Sequence, residues 1–192
     1  MKFKVNTFER FSHATRIKKT VVFATFLILD FAFSSCNHRQ ASNVAESGQL
    51  KDHLENVNRI MIQRESAVID SFVFLHKFKM TRTGTGLRYE VYDAGKGNMP
   101  SGRDNVSISY KMATLDGEIL YEADSLHPLA FRLGEGRQPA GLEEGICLMQ
   151  KGAKARLVVP SHLAYGTAGD GQKVTGATPL YYDLQLIKIT HE

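Results

Sequence analysis

Residues 141–166 read GLEEGICLMQKGAKARLVVPSHLAYG, and a change of hydrophobic period inside this stretch decides the fold. Leu142, Ile146 and Met149 recur at helical spacing, which predicts a short helix from Gly141 to about Met149. A turn follows, up to Lys154. From Ala155 the period becomes two, and Ala155, Leu157 and Val159 share one face of a strand. The same period appears on both sides of this unit. Leu87, Tyr89 and Val91 alternate with Arg88 and Glu90. Val106, Ile108, Tyr110 and Met112 alternate with Ser107, Ser109 and Lys111. Leu129–Leu133 and Leu180–Ile189 read as two further strands, and Gly95, Gly97, Pro100 and Asp116-Gly117 mark turns. Strands around one central helix predict an α+β domain over residues 86–190. Its antiparallel sheet covers the helix with one face and meets water with the other.

Ahead of that domain the period is helical. Leu50, Leu54, Val57, Met61, Val68, Phe72 and Leu75 form a stripe, with Lys51, Glu55, Arg59 and Arg64 off it. This predicts an amphipathic helical extension over residues 47–80, closed before Thr83-Gly84-Thr85-Gly86. Such a helix needs a packing partner. The stripe either docks on its own domain or pairs with a second copy in a homodimer. Residues 36–46 are polar and without apolar period, and read as a tether.

The chain has 192 residues, 24 Lys and Arg against 20 Asp and Glu. The basic excess is uneven: residues 1–35 carry net +4 and the remainder is neutral. A neutral body lacks the basic footprint of phosphate recognition, so no nucleic-acid partner is expected. Lys2, Lys4, Arg10, Arg16, Lys18 and Lys19 precede an apolar run from Val21 to Phe33. A helix of that length reaches about 20 Å, short of a hydrocarbon core of roughly 30 Å. Basic residues, a short apolar run, then Ser34 and Ser35 read as a bacterial export signal over residues 1–35.

Conventional chemistry is absent from the motifs. The seven His are scattered and the two Cys, Cys36 and Cys147, form no cluster, so no metal and no cofactor are expected. Gly84-Thr85-Gly86 and Gly134-Glu135-Gly136 lack the rest of a dinucleotide or P-loop motif. No Gly-x-Ser-x-Gly elbow occurs. Glu143 and Glu144 are adjacent and read as solvated carboxylates at a positive helix end rather than as a catalytic pair.

Landmarks from Val106 to Ile189 resemble the FK506-binding-protein (FKBP) type of peptidyl-prolyl isomerase. They run in order: Ser109-Tyr110 before Leu115-Asp116-Gly117, then Phe131-Arg132-Leu133-Gly134, then Gly141-Leu142-Glu143-Glu144-Gly145. Ala155–Pro160, Leu163-Ala164-Tyr165-Gly166 and Tyr182–Leu186 complete the set. The likeness spans about Leu87 to Ile189. It implies a half-barrel of five to six antiparallel strands wrapped on one short helix. It also implies isomerisation of X–Pro bonds in proline-containing polypeptides. That bond has a small trans preference but a barrier of ~18–20 kcal/mol from amide resonance. A site that holds the twisted amide more tightly than either planar isomer needs neither nucleophile nor metal.

Carried over by position, the resemblance implies Tyr165, Tyr110 and Tyr182 as the catalytic tyrosines, with the Tyr165 hydroxyl donating to a substrate carbonyl. Leu120, Tyr121, Leu129, Phe131, Gln138, Pro139, Leu142 and Val174 fall on substrate-binding positions. Four departures from the family matter. Leu142 replaces the floor Trp, Leu120 a wall Phe, and Tyr121 an Asp. Pro139 replaces a residue whose backbone N–H binds the peptide, and proline has none. The retained Tyr165 speaks for an isomerase, whereas Pro139 and Tyr121 speak for a binding or chaperone module with little turnover.

Phe33-Ser34-Ser35-Cys36 resembles a lipobox of the Bacteroidetes, and signal, helix and domain together resemble their gliding-motility-associated lipoproteins. The resemblance implies an exported protein acting on exported proteins, with acylated Cys36 anchored in a bacterial membrane on its periplasmic side. Cys36→Ser is expected to abolish processing before residue 36 and to move the protein to the soluble fraction. A variant processed at the same bond and still membrane-bound contradicts the anchor.

Overall fold

The computed structural model describes residues 38–191, with side chains from residue 51. The export signal and Cys36 lie outside the described residues. The chain divides into two compact units, Met1–Asn58 and Arg59–Glu192. The second holds the sheet, and the contacts below belong to it.

Helix α1 runs from His38 to Leu75, so it starts within the segment read as a tether. Polarity there rules out a packed core, but Gln40, Ala41, Ala45 and Glu46 are good helix formers and nothing stronger than Gly48 interrupts them. The helix ends five residues earlier than expected. Lys77 adopts a left-handed φ of 55°. Phe78 N–H donates to Val73 O and Lys77 N–H to Phe74 O, both at 3.1 Å, the bond pattern of a Schellman cap.

Seven strands follow among the described residues: β1 (Thr81–Arg82), β2 (Arg88–Asp93), β3 (Asn105–Thr114), β4 (Ile119–Ala123), β5 (Leu129–Arg132), β6 (Lys154–Val159) and β7 (Leu180–Thr190). Helix α2 (Ala140–Cys147) lies between β5 and β6. The sheet is antiparallel, in the order β1-β2-β6-β7-β3-β4, with β5 also paired to β3. β1 has only two residues, too few for a period to register. β7 pairs along all of β3, from Asn105 to Thr114. The opposite edge of β3 is shared, with β5 on Asn105–Ile108 and β4 on Tyr110–Ala113. The chain leaves the sheet between them at residues 124–128. Asp124 shapes that excursion by accepting from the N–H groups of Leu126 and His127 at 2.9 and 2.7 Å.

One face of the sheet curls on α2, whose Leu142 and Ile146 are fully buried. Two glycines permit the approach. A Cβ on Gly141 would stand 2.5 Å from Val159 Cγ1, and one on Gly145 would press into both Leu157 methyl groups. Glu143 and Glu144 are half-buried, partly solvated and each hydrogen-bonded: Glu143 accepts from Gly134 N–H at 2.9 Å, and Glu144 from Thr85 Oγ1 at 2.8 Å.

Since Leu157 and Val159 face α2, Val158 points to the other face. Val158 pairs with Arg88 on β2 and with Tyr181 on β7, and the end of α1 covers this row. Phe72 and Phe78 pack on Tyr181, with ring centroids 5.7 and 5.9 Å away. Ile69 is wholly buried. Arg88, expected to face solvent, is 3% exposed. It donates to Asp70 at 2.7 Å and to Ser66 Oγ at 2.6 Å. Glu65 accepts from Ser161 N–H at 2.7 Å. The docked face therefore lies through Glu65, Ser66, Ile69 and Phe72. The residues of the predicted stripe at Met61, Val68 and Leu75 stay outside it and are more than half exposed. The two faces share Phe72 but are turned about a quarter of the helix apart.

Gly145→Ala tests the helix–sheet approach. Helix propensity alone favours Ala, but Leu157 is fully buried and cannot step aside. The variant is expected to lose about 1–3 kcal/mol in chemical denaturation, the usual cost of overpacking. An unchanged or higher stability contradicts a tight α2–β6 contact.

Candidate functional site

The sequence-predicted residues come from seven places in the fold, and most converge on one side of α2. Leu120, Phe131, Leu142, Val174 and Tyr182 belong to a single buried apolar cluster. Tyr110, Tyr121, Leu129 and Tyr165 are partly buried against it. Register explains the convergence. Met112 of β3 is opposite Tyr121 on β4 and Tyr182 on β7. Tyr110 lies two residues along β3 on the same face, and its ring centroid is 6.2 Å from that of Tyr182. Tyr182 and Leu142, each 1% exposed, form the floor. Tyr110, Tyr121, Leu129 and Tyr165 are half-buried and form the solvent side.

Gln138 and Pro139 lie outside the cluster. Gln138 is half-buried and Pro139 buried. Pro139 caps α2, and its carbonyl accepts from the N–H groups of Leu142 and Glu143 at 3.0 and 3.1 Å. A residue in that position needs no N–H for the helix, which accommodates proline there.

The four phenols differ in what their hydroxyls do. Tyr121 donates to Asp170 at 2.6 Å. The hydroxyls of Tyr110 and Tyr165 have no hydrogen-bond partner among the described residues. Burial pushes the Tyr165 phenol up from 10.0, and the nearby Asp170 adds to this. Burial alone raises Tyr110, and carries Tyr182 well above 10.0. The hydrogen bond to Asp170 raises Tyr121 and in return holds the Asp170 carboxyl below its usual range. All four phenols are therefore protonated at neutral pH. Tyr165 and Tyr110 retain an unengaged donor over an apolar floor, an arrangement that can orient a carbonyl while excluding water.

Sequence reasoning missed Asp170 and Lys173. Lys173 Nζ donates to Leu120 O at 2.8 Å and lies 5.0 Å above the Tyr121 ring. Asp170-Gly171 reads only as a turn, and nothing in the spacing ties it to Tyr121, 49 positions earlier. Among the described residues no group of three or more His, Cys, Asp or Glu is placed to hold a metal. None of their helices is long and apolar enough to cross a membrane.

A shallow depression of about 760 Å³ occupies the outer face of the sheet and includes Tyr110 alone of the predicted residues. Lys111, Glu122, Asp183 and His127 line it. Strand register puts Glu90, Arg156, Asp183, Lys111 and Glu122 side by side there, a row of alternating charge. Such a row is stable in water and unsuited to desolvating an amide. The apolar cluster is therefore the better candidate.

Fold and cluster define a small antiparallel half-barrel with a tyrosine-rimmed apolar site, and the comparisons agree with that class. The family model for FKBP-type peptidyl-prolyl cis-trans isomerase matches residues 96–187. FK506-binding protein 1A of Neurospora crassa is 33% identical over 106 residues, which is 54% of this chain and 88% of that protein. The chain belongs to the FKBP-type peptidyl-prolyl cis-trans isomerase family. FkpA of Escherichia coli K12 is 40% identical over 114 residues, 56% of this chain and 39% of FkpA; the match thus spans about two fifths of that relative. The crystal structure of Escherichia coli FkpA superposes with a TM-score of 0.58 at 25% identity, covering 98% of this chain and 99% of that one. A peptidyl-prolyl cis-trans isomerase from Pseudomonas syringae pv. tomato has a TM-score of 0.57 at 27% identity, covering 69% and 96%.

Proposed function

We propose that this chain is a peptidyl-prolyl cis-trans isomerase for exported polypeptides, held at a bacterial membrane through lipidated Cys36 as a lipoprotein of the Bacteroidetes kind. The observation that carries the catalytic part is the Tyr165 hydroxyl, half-buried beside the apolar cluster and without an acceptor among the described residues. Proline enters between Tyr110, Phe131, Val174 and Tyr182, above Leu142. Water exclusion weakens the charge separation that stabilises the planar amide, and Tyr165 orients a neighbouring carbonyl as the amide twists. Leu120, Tyr121 and Leu129 complete the walls, with Gln138 and Pro139 at the rim. The anchor rests on the order of basic residues, apolar run and Ser-Ser-Cys.

A second reading, a binding or chaperone module with little turnover, is favoured by two contacts. Pro139 has no N–H to offer a peptide, and the Tyr121 hydroxyl is engaged by Asp170. Exchange NMR on a Leu-Pro peptide separates the readings. Wild type is expected to exceed the buffer rate. Tyr165→Phe keeps the ring and loses one orienting bond worth about 0.5–1.5 kcal/mol, a fall of roughly 2–13-fold in kcat/KM. A wild type no faster than buffer selects the binding module. An active enzyme indifferent to Tyr165→Phe keeps the isomerase and discards this role.

The chain also pairs through α1. Met61, Val68 and Leu75 are 60%, 56% and 74% exposed on one face of that helix, and a second copy would cover them by the same face. Met61→Asp with Val68→Asp is expected to halve the mass in sedimentation while leaving the sheet domain folded. An unchanged mass contradicts pairing by this face.

A further inference from the structure

Residues 164–179 join the 3-10 turn at Ser161–Leu163 to β7 without regular structure. The loop nevertheless closes on itself. Gly166 N–H donates to Ser161 O, and Ala177 N–H to Gly166 O, both at 2.8 Å. Gly169 and Gly176 lie so close to the backbone at Val174 and Thr167 that any Cβ would collide. Asp170 stands at the centre of this compact loop. Its Oδ1 accepts from the N–H groups of Gln172 and Val174 at 2.8 Å each. Its own N–H donates to Val174 O at 3.1 Å. Its Oδ2 accepts the Tyr121 hydroxyl across to β4 at 2.6 Å, beside the Lys173 bond to Leu120 O.

We propose that Asp170 is a positioning residue of the proline site: one carboxylate fixes the Tyr121 ring and the Val174 backbone, and latches the loop that begins at Tyr165 to β4. This rests on the isomerase reading. The 2.6 Å bond is an O–H donor on a carboxylate, the short and strong kind of hydrogen bond. A wall formed by Tyr121 on one strand and Val174 on a distant loop keeps its shape only while the two are tied. Releasing the latch leaves the apolar floor intact but lets the rim move. The twisted amide tolerates such misplacement less than the ground state does, so turnover suffers more than binding.

The test uses the full chain with a Leu-Pro peptide. Asp170→Ala is expected to lower kcat about tenfold while changing KM less than about threefold. Tyr121→Phe loses the same bond and falls about 2–13-fold. The double variant is expected to be no worse than Asp170→Ala, because both act through one contact. Asp170→Asn keeps an acceptor for the two loop N–H groups and recovers part of the rate. NMR titration of the Tyr121 ring gives a reading independent of activity: its phenol titrates above 10.0 in wild type and moves down in Asp170→Asn. Additive losses in the double variant, or a Tyr121 titration indifferent to Asp170, overturn the latch. A wild type with no isomerase activity ends the isomerase reading instead. The Tyr121 titration then decides alone, and a Tyr121 ring indifferent to Asp170→Asn overturns the positioning role.

Discussion

The close approach of α2 to β6 is the constraint on which the rest of the structure depends. A sheet can curl round an eight-residue helix only where backbone and side chains nearly touch. Gly141 and Gly145, one helical turn apart, provide that by offering no Cβ toward Val159 and Leu157. Glycine inside a helix costs about 1 kcal/mol each relative to Ala. Burial of Leu142 and Ile146 offsets it at about 25 cal/mol per Å² of apolar area. Leu142 at that depth forms the floor together with Tyr182 of β7, and β3 brings Tyr110 beside it.

The two sides of the sheet then acquire different chemistry. The concave side is lined by the apolar cluster, with half-buried tyrosines at its rim. Tyr121 and Asp170 engage each other, whereas the Tyr165 and Tyr110 hydroxyls have no hydrogen-bond partner among the described residues. The outer side is divided. Its row Arg88, Val158 and Tyr181 is covered by the end of α1, and the neighbouring row alternates in charge. Arg88 is the pivot of the covered row. A guanidinium at 3% exposure would be costly alone, but Asp70 and Ser66 satisfy it. The pair sets where α1 docks and so which helix face remains open.

Much of this was legible in the sequence, and the misses share a cause. The period of two marked β2, β3, β5, β6 and β7, and Leu142, Ile146 and Met149 marked α2. Apolar stripes report burial but do not name the partner, so Leu54, Val57, Met61, Val68 and Leu75 were visible as a face while the face that docks, centred on Ile69, was not. Arg88 alternates as a solvent residue should, and only the helix laid over β2 makes it a buried one. The segment from His38 to Ser47 lacks an apolar period, yet a helix requires none.

By itself the sequence determined the α+β class, the short central helix and the apolar positions of the sheet, while a family resemblance picked out the tyrosines now gathered over Leu142. These follow from local period and from ordered motifs, which chain neighbours alone impose. Only the tertiary structure decided that Tyr121 meets Asp170, that Arg88 meets Asp70 and that the Tyr165 hydroxyl is left unengaged. Each of those depends on which distant backbone lies within about 3 Å of a side-chain atom, a quantity set by strand register and loop closure and absent from any linear spacing.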